Sequence, residues 1–389
     1  MKYNFDTVYD RTNTNSVKYD FAAEFGKPEG LCPLWVADMD FKIAVEIEEA
    51  VIKCARHGIF GYSDVKNSYY DALSSWFFER FGYKTQSDWL VKTPGVVFAL
   101  AAAIRAFTLE GDCVLIQKPV YHPFSSIITD NNRKLINNPL IYTNGAYTID
   151  FEDFEQKIIK NNVKLFILCS PHNPVGRVWT RAELEKMGNI CFKHNCIVVS
   201  DEIHCDFVYA PHKHHVFSAL RPEFEDNAII CTSPSKTFNL AGLQAANTFI
   251  KNKTLREKFQ KELAKTGYHQ LSTMGLAACE AAYKHGADWL NQLKEYLSAN
   301  INLVRDFSKR TGIKLIEPEG TYLLWLDFSS LGLDDKALQN LIEKKAKLWL
   351  SHGLIFGLEG KGFQRINIAC PRSVLEAALN NLETAIKNI

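Results

Sequence analysis

The chain opens on a polar stretch, MKYNFDTVYDRTNTNSVKYD and onward to about Pro33, with little periodicity. It reads as an arm that must lie on something else to be ordered, and such arms often cross a subunit boundary. From Ile43 apolar positions recur at helical spacing to Arg56. A second helical pattern covers Tyr69 to Phe81, and a third, VVFALAAAIRAF, starts just after Thr93-Pro94-Gly95. Short apolar runs then alternate with helical patterns: CVLIQ at 113–117, KLFILCS at 164–170, CIVVSDE at 196–202, AIICTS at 228–233 and AANTFI at 245–250. Each is too short for a helix, rich in β-branched residues or Leu and bounded by turn residues, which predicts buried parallel strands of an α/β sheet domain. Beyond Leu255 the pattern is helical to Arg310. The chain then closes on two strands, TYLLWLDF and QRINIAC, flanked by helices at 334–349 and 373–388, a smaller α+β unit.

With 389 residues, 47% of them hydrophobic, the chain can bury a large core in two or three domain-sized units. Lys plus Arg (45) balance Asp plus Glu (44), so there is no basic field to draw in nucleic acid or anionic lipid, and a small molecule is the expected partner. The ten cysteines form no C-x-x-C pair and read as reduced core residues. The start lacks an apolar signal core, and no long uncharged apolar run follows, which makes the cytoplasm the expected compartment. No internal repeat or low-complexity tract is present.

In a parallel sheet, ligands collect outside the carboxyl ends of the strands. Polar residues directly following apolar runs are therefore candidates: Tyr121, Asn173, Asp201, and Lys236 in SPSKTFNLAGL. Desolvation would depress the Lys236 pKa and make it nucleophilic; taken alone, it reads more readily as a surface loop lysine. Asp201 wants a cation such as a protonated ring nitrogen, or else caps the turn at Glu202. Gly95 and Val96 open a helix whose free amides suit a phosphate, although many helices begin at a glycine with nothing bound. Ser233 and Ser235 would add hydroxyl donors or simply cap. Arg365 interrupts QRINIAC and fits a substrate carboxylate, or an ion pair with some Asp or Glu. His212, His214 and His215 lack the spacing of a zinc site and read as an exposed loop; no metal is expected. G-x-S-x-G, P-loop and H-E-x-x-H motifs are missing from the sequence, so hydrolase, NTPase and metalloprotease readings lose their support.

Taken together, SPHNPVGRVW, SDEIHCDF and PSKTFNLAGL, in this order and spacing, resemble the fold type I pyridoxal-phosphate enzymes. PLWVADMDF, FGYSD, KPVYHPF, EGTYLLWLDF and GFQRINIACPR narrow the resemblance to the cystathionine β-lyase and cystalysin branch of the class I/II aminotransferase superfamily. The resemblance covers nearly the whole chain. It implies a large domain (46–285) with a mainly parallel seven-stranded sheet, a small C-terminal domain (286–389), and an N-terminal arm with part of the small domain (1–45).

On this resemblance Lys236 would carry pyridoxal 5'-phosphate, Asp201 would pair with the ring nitrogen, Asn173 would bind the ring hydroxyl oxygen and Tyr121 would stack on the ring. Gly95, Val96, Ser233 and Ser235 would hold the phosphate, joined by Tyr62 from the other subunit of a homodimer. Arg365 with Asn173 would bind the substrate carboxylate, and Lys236, Tyr121 and Tyr62 would be the catalytic side chains. His204 stands where aminotransferases often have a tyrosine, so it is a candidate for supporting a residue that touches the cofactor. Gln244 stands where many aminotransferases place an arginine on the phosphate, which favours the lyase branch. His122 replaces a tyrosine common in cystalysin-like members, and Arg177 is expected to be structural. The implied reaction is β-elimination from a sulfur amino acid to pyruvate, ammonia and a thiol. The rivals are an aminotransferase and a regulatory protein that binds a transcription factor through the same fold.

Overall fold

Alternate residues of the central strands enter two separate cores, as the two-residue period of a strand demands. Leu115, Phe166, Leu168, Val198 and Ile230 face one core, while Val114, Ile116, Leu165, Ile167, Val199, Ile229 and Cys231 face the other. The computed structural model describes residues 2–389. Seven strands form the sheet, in the spatial order Leu90–Thr93, Ala246–Phe249, Ala228–Thr232, Ile197–Asp201, Leu165–Cys169, Cys113–Ile116 and Lys134–Asn137. The last five run parallel to one another.

Ala246–Phe249 pairs antiparallel with both of its neighbours, which corrects the expectation that the run 245–250 is parallel. All four of its residues are buried, and a strand covered on both faces carries no mark of its direction. Leu90–Thr93 and Lys134–Asn137 were not anticipated from the sequence; as outer strands they are only partly covered and lack the continuous apolar run of the central ones.

In the C-terminal part, Lys314–Leu315, Leu323–Asp327, Phe363–Asn367 and Ser351–His352 form a four-stranded antiparallel sheet. The helix expected over 334–349 is shorter. A helix at Asp335–Asn340 runs into a π turn at Leu341–Lys345, and Lys347, at φ 57°, breaks the path before Leu348–Trp349. That pair of residues is a short strand parallel to Cys32–Pro33, so the polar arm is fastened to its own chain. Arg11 bridges Asp38 (2.6 Å) and Asp40 (2.7 Å), and the fully buried Lys18 pairs with Asp40 at 2.7 Å. Such a lysine is tolerated only because its charge is compensated. No helix of the described residues is long and apolar enough to cross a membrane.

Candidate active site

The strand Ala228–Thr232 runs into Ser233, which caps the single helical turn Pro234–Thr237 that bears Lys236. The Ser233 hydroxyl accepts from the Ser235 amide (3.1 Å), lies 2.7 Å from the Ser235 hydroxyl and donates to the Ala245 carbonyl. Lys236 Nζ donates to the main-chain carbonyl of Ala37 at 2.9 Å, an oxygen that also accepts from the Tyr322 hydroxyl at 3.0 Å. Burial, helped by the Arg365 charge and opposed by Asp38 and Asp201, brings Lys236 down to about 8. An appreciable fraction is thus neutral near physiological pH.

Asp201 ends the neighbouring strand and is buried. Its Oδ1 accepts from the Ile203 amide at 3.1 Å, so the capping reading holds. Burial still raises the carboxyl to about 7, against that hydrogen bond and the Lys236 charge. No lysine, arginine or histidine among the described residues forms an ion pair with it, so it remains a buried acid with no cation in direct contact, although the Lys236 charge reaches it.

Arg365 lies on Phe363–Asn367 and donates to Asn173 Oδ1 (2.8 Å), the Trp35 carbonyl (2.8 Å) and Ser351 Oγ (3.1 Å). The Phe356 ring centroid is 4.9 Å from the guanidinium carbon. Burial lowers Arg365 to about 10. All its partners are neutral oxygens, which overturns the alternative of an ion pair with Asp or Glu and leaves the charge for a ligand anion. Asn173 is buried and opens a turn closed by Gly176 at φ 74°. A Cβ on Gly176 would come 3.4 Å from Pro318 Cα, so this turn packs against the 318–320 segment, and a Cβ on Gly320 would come 2.7 Å from the Phe207 carbonyl, a crossing that only glycine allows. Arg177 is structural, as expected: it bonds Glu319 (2.9 Å) and Glu183 (3.0 Å) across that crossing.

Gly95 and Val96 begin the 12-residue helix Val96–Phe107, which has no side-chain cap; a Cβ on Gly95 would meet nothing within 4 Å. Tyr121 is half-buried, its ring 5.4 Å from that of His122. His204 is buried, with its ring 5.9 Å from Tyr322, and burial together with the charges of Lys236 and Arg365 pushes it down to about 3, so it is neutral. Its Nδ1 has no hydrogen-bond partner.

Tyr62 is not brought to this cluster within the chain; it is 96% exposed, beside exposed Ile59 and Phe60. Gln244 is also exposed, in left-handed backbone at φ 51°. His214 is not in an exposed loop as expected. It is buried and pairs with Glu202 at 2.8 Å, a brace behind Asp201 that also receives the Phe217 amide. Sequence reasoning missed Ala37, Trp35, Tyr322 and Phe356 as parts of the site. Both carbonyls belong to the PLWVADMDF string and Tyr322 to TYLLWLDF, which was the only signal available.

A pyridoxal-phosphate fits this arrangement. The cation-free buried Asp201 would receive a protonated ring nitrogen, the open amide end at Gly95 with Ser233 and Ser235 would receive the phosphate, and Lys236 stands ready as an amine. Residues 37–382 match the family model described as aminotransferase class I and II. The chain belongs to that family. It is 43% identical over 386 residues to the cystathionine beta-lyase PatB of Bacillus subtilis, covering 98% of this chain and 100% of that protein. It is 34% identical to protein MalY of Escherichia coli, covering all of both chains. The crystal structure of cystalysin from Treponema denticola, which contains pyridoxal 5'-phosphate, matches with a TM-score of 0.96 at 39% identity over the whole of both chains.

Proposed function

We propose that the protein is a pyridoxal-phosphate-dependent carbon–sulfur β-lyase acting on a sulfur amino acid, with cystathionine as one substrate. The observation that carries this reading is the half-buried Lys236, brought to about 8 beside the buried Asp201 and the anion-free Arg365. The full-length similarity to proteins named for this activity supports it.

When bound, pyridoxal phosphate supplies an electron sink for charge developing at the substrate Cα. The remaining work falls to the chain. Arg365, held by Asn173, Trp35 and Ser351, binds the substrate α-carboxylate with its forked donors. Lys236 takes the Cα proton as general base. The carboxylate of Asp201 would keep the ring nitrogen cationic, Tyr121 would lie against the ring, and Gly95, Val96, Ser233 and Ser235 would hold the phosphate. His204, neutral and buried beside Tyr322, would add no charge to compete for the ring or the carboxylate. A thiolate departs from Cβ and takes up a proton; the released aminoacrylate adds one water to give pyruvate and ammonia, and with cystathionine the thiol is homocysteine.

In this reading the enzyme is a homodimer in which Tyr62 of one subunit reaches the phosphate of the other, and its 96% exposure in the single chain supports that role. The arm (1–45), large domain (46–285) and small domain (286–389) divide the chain, a division supported by the separate seven-stranded and four-stranded sheets. The ten cysteines are all free, which fits a reducing cytoplasm. Adding L-cystathionine to the yellow purified protein without any keto acid tests the reading. Pyruvate and free thiol are expected; products that appear only after a 2-oxo acid is supplied would make the protein an aminotransferase.

A further inference from the structure

We infer that Asp206 and Thr237 form a positioning pair that fixes the distance between the two key groups of the site. Lys236 rides on one helical turn, Pro234–Thr237, too short to hold itself. The residue after the lysine, Thr237, is buried and donates from Oγ1 to Asp206 Oδ2 at 2.8 Å. Asp206 lies five positions beyond Asp201, at the far end of the turn that the carboxylate begins. One buried hydrogen bond therefore ties the Asp201 segment to the Lys236 segment.

The anchor of this tie lies outside the site. Asp206 is 3% exposed and forms an ion pair with Arg80 at 2.8 Å. The Arg80 guanidinium carbon is 4.6 Å from the Trp76 ring centroid, and Trp76 in turn meets Phe238, the residue following Thr237, edge-on at 5.4 Å. The loop is closed: both the carboxylate and the helical turn it holds are pinned to the helix Asn67–Phe81. Cys205, Tyr283 and Lys294 are the other titratable groups facing Asp206. Because hydrogen bonds in such a setting are directional and short of alternatives, losing the hydroxyl lets the lysine-bearing turn shift relative to Asp201.

The inference rests on Lys236 as the lysine that carries the cofactor. Its test is the pH titration of the visible absorbance of the holoenzyme, with kcat, KM and Tm measured alongside. Thr237→Val keeps the volume and loses the bond. It is expected to move the titration midpoint by about half a pH unit and to lower kcat roughly tenfold with KM little changed. Thr237→Ser restores the hydroxyl and should return both. Asp206→Asn still offers an oxygen to Thr237 but loses the charge facing Arg80; it should lower Tm and leave the midpoint in place. An unmoved midpoint in Thr237→Val, or an equal shift in Asp206→Asn that follows Tm, would make the pair merely structural. A wild-type protein that shows no visible band with pyridoxal phosphate would overturn the cofactor reading and this inference together.

Discussion

Lys236 and Ala37, 199 positions apart in sequence, are joined by a 2.9 Å hydrogen bond from the lysine ammonium to a main-chain carbonyl. Two residues earlier, the Trp35 carbonyl accepts from Arg365. One segment thus holds both cations of the site on neutral oxygens. A carboxylate in the same place would raise the lysine pKa, whereas a carbonyl orients the amine and leaves burial free to bring it to about 8.

Replacing that lysine separates binding from chemistry. Lys236→Ala should lower kcat by roughly a thousandfold, the order expected for losing a general base, while the protein still takes up pyridoxal phosphate. Reduction with borohydride would then fix cofactor on the wild type and none on the variant. Unchanged turnover in the variant would remove Lys236 from the mechanism.

Asp201 ties function to a cost in stability. Its carboxyl titrates near 7 in the fold against 3.8 as the ordinary value, so between those pH values the folded chain binds the extra proton. The contribution of Asp201 to the stability of the cofactor-free protein therefore falls as pH rises from about 4 through 7. Asp201→Asn abolishes that loss. The cofactor-free variant should melt higher than wild type at pH 8, on the order of 5 °C, with the gap closing toward pH 4, and should be nearly inactive when loaded. Equal melting curves at pH 8 would show that the buried carboxyl carries no such penalty.

What the sequence made legible follows from strand ends. Asn173, Asp201 and Lys236 each follow an apolar run, and parallel strands deliver such residues to one edge of the sheet. The Ala37 contact was not legible, because a carbonyl acceptor leaves no mark in residue type. The direction of Ala246–Phe249 was hidden by its burial on both faces. His214 misled because histidines without metal-site spacing, grouped around Lys213 in APHKHHVF, read as an exposed loop, while its partner Glu202 hides at the end of an apolar strand pattern.

Arg365 tests whether geometry or charge binds the substrate. Arg365→Lys keeps the charge but has no fork to span Asn173, Trp35 and a carboxylate, and it loses the stacking on Phe356. KM for cystathionine should rise at least roughly tenfold with a smaller change in kcat, the signature of lost ground-state binding. A variant with wild-type KM would place the substrate carboxylate elsewhere.

Tyr62 allows a test of the shared site that needs no structure of the dimer. Tyr62 is 96% exposed beside exposed Ile59 and Phe60, as a side chain that reaches a second subunit would be. If each site takes Lys236 from one subunit and Tyr62 from the other, Tyr62→Ala and Lys236→Ala homodimers are both crippled. A mixed dimer concentrates both defects in one site and leaves the second site intact. Unfolding the two variants together and refolding them at equal concentration should recover about a quarter of wild-type activity, since half of the dimers are mixed and each has one good site. Activity that stays at the level of the separate variants would mean that Tyr62 serves its own chain or none.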